Sequence, residues 1–198
     1  MPQHDNVPTR RLFFALPIPR VWEKAYQPAL QAWRAHLKMG RRFKAVPPEN
    51  RHLTLLFLGN VREADLSALE KETGEFAGKH QGFPLQLSEL VAAPPHRRRK
   101  TMLWHAGPLN EQYTALHKAL RELAGPYIPQ APPPADREPV PHCTLARFPA
   151  RAEARLPAPE PLSETLQVNR LELWESELRP GGSNYTRLSS FELLAPTS

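Results

Sequence analysis

Two short strings hold the side chains best suited to chemistry. The first reads Arg51-His52-Leu53-Thr54-Leu55 and the second Pro141-His142-Cys143-Thr144-Leu145. Both have the form His-x-Thr-Leu, both follow prolines (Pro47-Pro48; Pro139 and Pro141), and they lie 90 residues apart in a chain of 198. On a strand, residues i and i+2 project to the same side. Each string therefore presents an imidazole beside a hydroxyl. Two such strands facing across a groove gather two imidazoles and two hydroxyls around one small cavity. Imidazole is well matched to proton transfer near neutral pH. One neutral ring can take a proton from water while a protonated ring gives one to a departing oxygen. The threonine hydroxyls can donate to the non-bridging oxygens of a phosphate. The set suits metal-free hydrolysis of a cyclic phosphodiester, and spacing leaves open which histidine is acid and which is base. One copy would be weak, because a strand-end histidine often only bonds neighbouring backbone. Two copies, one per half, point to a site at a seam between similar halves.

Other chemistries fit less well. Zinc sites use three or four His, Cys or carboxylate ligands. Neither motif contains a carboxylate, and His96, His105 and His117 show no ligand spacing. No metal and no cofactor is expected. The single cysteine, Cys143, lies between His142 and Thr144, so on a strand it faces away from both. It is expected to be a buried, inert thiol. One cysteine permits no internal disulfide, which fits a reducing cytoplasm. No GxxxxGK[ST] phosphate loop occurs. There is no secretory signal in Met1 to Arg11 and no apolar run of 18 residues, so a cytoplasmic location away from membranes is expected. No obligate protein partner is evident.

Residues 1–9 are polar and expected to be frayed. Leu12 to Leu16 reads as a buried strand. Trp22, Ala25, Tyr26, Ala29, Leu30, Trp33 and Leu37 form one face of a helix from Pro19 to Lys38, which Pro28 should kink or break. Arg42 to Val46 can be a short strand. His52 to Leu58 is the first motif strand, with Leu53, Leu55 and Phe57 on one face and His52, Thr54, Leu56 and Leu58 on the other. A second helix from Glu63 to Lys79 turns Leu66, Leu69 and Phe76 inward. Phe83 to Val91 and Thr101 to His105 make a hairpin whose tip, Pro94 to Lys100, is basic. The third helix, Asn110 to Ala124, carries the stripe Tyr113, Leu116, Leu120, Leu123 with Asn110 as cap. Pro129 to Glu138 is a proline-rich loop. His142 to Phe148 is the second motif strand, Ala150 to Pro161 a connection, and two closing strands run from Leu166 to Trp174 and from Tyr185 to Leu194. The repeat of elements matches the repeat of the motif. The expected fold is α+β, a single bilobal domain over 1–198 with two pseudo-symmetric antiparallel lobes. The closing strands are free to rejoin the first lobe's sheet.

The net charge is +6, with 19 Arg against 7 Lys. A basic surface favours polyanions, and arginine forks match phosphate. An Arg-rich genome would give the same ratio. Arg147, three residues past Thr144, points away on a regular strand, unless a bulge or strand end swings it back. The tip arginines, Arg98 and Arg99 among them, either make a solvated turn or hold an RNA backbone in a salt-dependent way. Tyr185 either stacks on a base or packs within its strand. The tryptophans are assigned to the core.

The chain resembles the 2H phosphoesterases, and among them the RNA 2′,3′-cyclic phosphodiesterases of the ThpR/LigT type, formerly called 2′-5′ RNA ligases. The resemblance runs through Arg11-Leu12-Phe13-Phe14-Ala15-Leu16-Pro17, His52 to Gly59, Leu103-Trp104, Pro141 to Arg147, and Glu175 to Tyr185. It implies a bilobal fold with the paired motifs in a central cleft. It also implies metal-free hydrolysis of RNA 2′,3′-cyclic phosphate ends to 2′-phosphomonoesters, with weak reverse 2′-5′ ligation. By the motif match His52 would be the proton donor, His142 the proton acceptor, Thr54 and Thr144 phosphate ligands, and Arg147 and Tyr185 substrate contacts. The alternatives are a phosphodiesterase of a small cyclic nucleotide, such as an ADP-ribose cyclic phosphate, and a non-catalytic RNA-binding module.

Overall fold

The computed structural model describes residues 7–128, 139–152, 155–179 and 182–195. The strands are β1 (Thr9–Pro17), β2 (Lys44–Ala45), β3 (His52–Arg62), β4 (Phe83–Ala93), β5 (Arg99–Ala106), β6 (His142–Ala152), β7 (Glu160–Val168), β8 (Arg170–Arg179) and β9 (Gly182–Glu192). The helices are α1 (Glu23–Leu37), α2 (Leu66–Ala77) and α3 (Glu111–Ala124). The strands form one antiparallel sheet in the order β7-β4-β5-β6-β3-β1-β8-β9, with β2 on the edge of β6. Cut between β6 and β3, this order leaves two four-stranded halves, each with its motif strand innermost. The halves interleave in sequence: β8 and β9 return to the half containing β1 and β3, while β7 joins the other.

The seam is narrow. β3 and β6 share a single pair, Leu53 opposite Cys143. Beyond it they part, and β2 takes up the vacated edge of β6, pairing Lys44 with Arg147 and Ala45 with Ala146. The Val46 amide adds a bond to the Leu145 carbonyl at 2.8 Å. The motif strands thus part at the seam, with their polar residues on the side of the sheet away from Leu53 and Cys143.

The helices cover one face of the sheet. α1 packs on β6, α3 on β3, and α2 on α3 and β9. The helix after β1 thus supports the second motif, and the helix after β5 supports the first. One apolar core runs beneath both halves and includes Tyr26, Trp33, Leu53, Leu55, Tyr113, Leu120, Cys143 and Leu145. Burying it holds the seam together, because the strands themselves barely pair there. Among the described residues, the opposite face carries no helix and only a small cluster, Phe13, Ala15 and Trp174, with Tyr185 against it.

Several expected boundaries shift for local reasons. The first helix begins as a 3-10 turn at Arg20–Trp22 and becomes α-helical at Glu23. Pro28 does not break it: the proline lies on the exposed face, where water can serve the carbonyl left without a donor. Residues 1–6 lie outside the described structure, but Thr9 is not frayed. It pairs with Arg62, and the Glu63 amide donates to the Pro8 carbonyl at 3.0 Å. Arg42 belongs to a 3-10 turn rather than a strand. The stretch Leu166 to Trp174 is not one strand: Asn169 breaks it between β7 and β8, where the chain passes from one half of the sheet to the other. Asn110 does cap α3, accepting the Tyr113 amide at 2.8 Å. The loop Pro129 to Glu138 lies outside the described residues.

Candidate active site at the seam

Leu53 and Cys143 are opposite one another, and both are fully buried. Their neighbours on the same strands must then face the other side of the sheet. Continuing the antiparallel register one residue each way sets His52 across from Thr144 and Thr54 across from His142. The two imidazoles are held alike. His52 Nδ1 bonds the Asn50 carbonyl at 2.9 Å and His142 Nδ1 bonds the Val140 carbonyl at 2.8 Å. A carbonyl only accepts, so each Nδ1 carries the hydrogen and each Nε2 is left for chemistry. In the neutral ring His52 Nε2 accepts from the Thr54 hydroxyl at 3.2 Å.

The start of β3 is anchored from below. The Arg51 side chain is buried, donates from Nε to the Val46 carbonyl at 3.0 Å, and pairs with Glu23 of α1. The Tyr113 hydroxyl of α3 donates to the Thr54 carbonyl at 3.1 Å. Helices from both halves thus fix the backbone that carries His52 and Thr54.

A bulge after each threonine changes what shares the groove. Along β1, Ala15 pairs with Thr54 but Phe14 with Leu56, so Leu55 is the extra residue. Along β5, Trp104 pairs with Thr144 but Leu103 with Ala146, so Leu145 is extra. Each bulge restarts the alternation one residue late. Leu56 and Ala146 therefore point into the core, while Phe57 and Arg147 join the histidine face and are exposed. The expectation that Phe57 shares a face with Leu53 and Leu55 is wrong for this reason. Arg147 reaches the histidine face by the same bulge.

His52 lies in an aromatic bed. Ring centroids are 4.9 Å away for Phe13, 5.0 Å for Trp174 and 5.3 Å for Tyr185. Phe57 stacks parallel to Phe13 at 6.0 Å, and the Arg11 guanidinium covers its ring at 4.3 Å. The Trp174 indole N–H donates to the buried Glu172 carboxylate at 2.8 Å, and Arg187 meets the same carboxylate at 3.3 Å. His142 has one large neighbour, Trp104, stacked at 3.7 Å and 20°. Burial pushes the His52 imidazole down to about 4. The Asn50 carbonyl opposes this shift, and the nearby cationic forms of His142 and Arg147 add to it. Burial also lowers His142, against the opposing Val140 carbonyl. Burial thus disfavours the charged form of both rings in the free protein.

The groove therefore collects His52, His142, Thr54, Thr144 and Arg147, with Tyr185 on its wall. Arg98 and Arg99 are not there. They sit at the β4–β5 tip, around a separate hollow. Lys100 is not part of a cationic tip: it is buried and donates to the Pro95 carbonyl at 2.9 Å, tying the turn together. Cys143 is fully buried, and its thiol is pushed up to about 12. His105 is a core histidine between the Tyr26 hydroxyl at 2.8 Å and the Leu162 carbonyl at 2.9 Å. Assigning every tryptophan to the core holds for Trp22, Trp33 and Trp174, the last in the smaller cluster, and misses Trp104; what the sequence does not show is that Trp104 and Trp174 lie against the histidines. Both stand in strands that neighbour a motif strand or β1, on alternate positions. Only pairing register, which single-strand periodicity does not supply, puts them beside the histidines.

Comparison with known proteins agrees along most of the chain. A family profile described as LigT-like phosphoesterase matches residues 21–104. An RNA 2′,3′-cyclic phosphodiesterase of Thermus thermophilus is 32% identical over 187 residues, which is 92% of this chain and 90% of that protein. One from Archaeoglobus fulgidus is 30% identical over 158 residues, 75% of this chain and 83% of that protein. Among solved structures, one from Thermus thermophilus superposes with a TM-score of 0.74 at 30% identity, covering 92% of this chain and 97% of that one. Escherichia coli LigT complexed with 3′-AMP superposes at 0.69 with 26% identity, covering 94% and 99%.

Proposed function

The chain belongs to the LigT-like phosphoesterases, in the RNA 2′,3′-cyclic phosphodiesterase group of the 2H phosphoesterase superfamily. On that premise we propose that it opens 2′,3′-cyclic phosphate ends of RNA to 2′-phosphomonoesters, using its two motif histidines and no metal. Neutral His142 takes a proton through Nε2 from a water whose oxygen attacks phosphorus. The bond from phosphorus to O3′ breaks, and protonated His52 gives its Nε2 hydrogen to O3′. The 2′ ester bond survives. The proton gained by His142 and the one lost by His52 then exchange with solvent. Thr54 and Thr144 donate to the non-bridging oxygens, Arg147 offers a fork to the same charge, and Tyr185 meets the terminal base. With a 5′-hydroxyl in place of the water, the same groups join a cyclic end to it as a 2′-5′ linkage while O3′ departs.

The observation that carries this proposal is the matched pair of Nδ1-to-carbonyl bonds at His52 and His142. It leaves both Nε2 atoms available for proton transfer, and the strand register sets a threonine across from each histidine. The test is an oligoribonucleotide ending in 2′,3′-cyclic phosphate, assayed beside a cyclic mononucleotide and an ADP-ribose cyclic phosphate. Conversion of the oligonucleotide to a 2′-phosphate is expected. A 3′-phosphate product, or turnover of the ADP-ribose compound alone, would overturn the assignment.

A second version exchanges the two roles. It is favoured by one observation: burial and the cationic neighbours make His52 hard to charge in the free protein, which suits a base. A substrate whose departing atom is a thiolate needs no protonation there. It should rescue the variant lacking the acid and leave the variant lacking the base inactive.

A further inference from the structure

The β4–β5 tip and the far end of β6 enclose a hollow of about 550 Å³, lined by Arg98, Arg99, Ala150, Arg151, Ala152 and Arg155. Four of its six lining residues are arginines. Arg99 is held in place: its Nη2 donates to the Ala150 carbonyl at 3.1 Å, and its backbone pairs with Ala152. Among the described residues, no carboxylate pairs with any of the four. The other half of the sheet differs. There Arg10 pairs with Glu175, and Arg170 and Arg187 share Glu172. Like charges gathered together repel one another and raise the local potential for a polyanion. The hollow also stands on β6, the strand that begins with His142. From His142 to Arg151 is at most roughly 30 Å along an extended strand, and Arg147 lies between them on the histidine face.

We propose that this hollow binds backbone phosphates of the RNA several nucleotides 5′ of its cyclic end. The strand then runs from the seam past Arg147 to the tip of the second half. This rests on the assignment of RNA ends as substrate and adds a length requirement to it. Guanidinium forks take phosphate oxygens two at a time and read no base, so the site selects length and not sequence. The carboxylates that pair with arginines in the first half make the second half the side on which an RNA tail is held.

Two measurements test it. The first compares kcat/KM for a cyclic mononucleotide with a ladder of cyclic-ended oligoribonucleotides from dimer to decamer, in wild type and in Arg151→Glu/Arg155→Glu. In wild type kcat/KM should rise along the ladder until the chain spans the hollow. In the variant the decamer-to-mononucleotide ratio should fall about tenfold or more, and the slope of log kcat/KM for the decamer against log salt should flatten by roughly 0.7 per lost phosphate contact. A flat ladder in wild type, or an unchanged ratio and slope in the variant, overturns the proposal. The second measurement is the affinity of a decamer ending in an ordinary 3′-hydroxyl, which no cyclic-phosphate chemistry can touch. Weaker binding by the variant is expected, and equal binding counts against the hollow. If no cyclic end is turned over but this affinity still drops, the catalytic assignment fails and the phosphate hollow stands.

Discussion

The pH dependence of kcat/KM tests the site most directly, because it reports the ionisations of the free enzyme. One histidine must be neutral and the other protonated. The rate falls on the acid side as the base becomes protonated and on the alkaline side as the acid loses its proton. Both imidazoles are lowered from the usual 6.5 by burial, His52 to about 4. The bell should therefore peak below pH 6.5. By pH 7.5 the upper group is protonated in at most about one molecule in eleven, so kcat/KM should have dropped roughly tenfold from its maximum. The two limbs belong to the pair and do not name either residue. A bound phosphate anion favours both protonated rings, so the profile of kcat should lie to the alkaline side of that of kcat/KM. The same shift appears in stability. His52 has a lower pKa folded than unfolded, so its neutral form favours the fold fully above about 6.5, and that stability is lost as the pH falls toward 4. The difference is at most about 3 kcal/mol. The assays are initial rates on a cyclic-ended oligonucleotide from pH 4 to 9 and denaturant unfolding over the same range, with His52→Gln as control. That variant should flatten the acid slope of stability. A kcat/KM maximum at pH 7.5 or above, or a His52 ring titrating near 6.5 by NMR, would refute the electrostatic account of the groove.

His52→Ala and His142→Ala should each lower the rate by at least about 10²-fold with unfolding curves close to wild type; near-normal activity in either removes that histidine from the mechanism. Activity should survive exhaustive EDTA treatment, and restoration by added metal after a loss would replace the metal-free scheme. Arg147→Met should raise KM for the cyclic-ended substrate and lift the His52 pKa, because its charge is one of the groups that disfavour the imidazolium; an unmoved His52 titration would place the arginine elsewhere in solution. Arg51→Met removes one member of a buried pair with Glu23 and should destabilise the fold by about 3–5 kcal/mol, readable as a shift in denaturant midpoint.

The sequence alone determined the two motifs, the faces of their first three residues, the harmless place of Cys143 and the amphipathic helices. All of these follow from local periodicity: His52, Leu53 and Thr54 alternate because a strand has a period of two, and Asn110 caps α3 because its side chain reaches the Tyr113 amide. Tertiary structure decided what periodicity cannot carry. The bulges at Leu55 and Leu145 arise only where a neighbouring strand is paired, and each shifts the residues after it, turning Leu56 or Ala146 into the core and Phe57 or Arg147 onto the histidine face. Trp104 stands beside His142, and Trp174 beside His52, through pairings between strands distant in sequence. The break at Asn169 splits what reads as one apolar run, because β7 and β8 belong to opposite halves of the sheet. The chemistry was legible because it resides in two short strings. Its setting was not, because register and burial are properties of strand pairs.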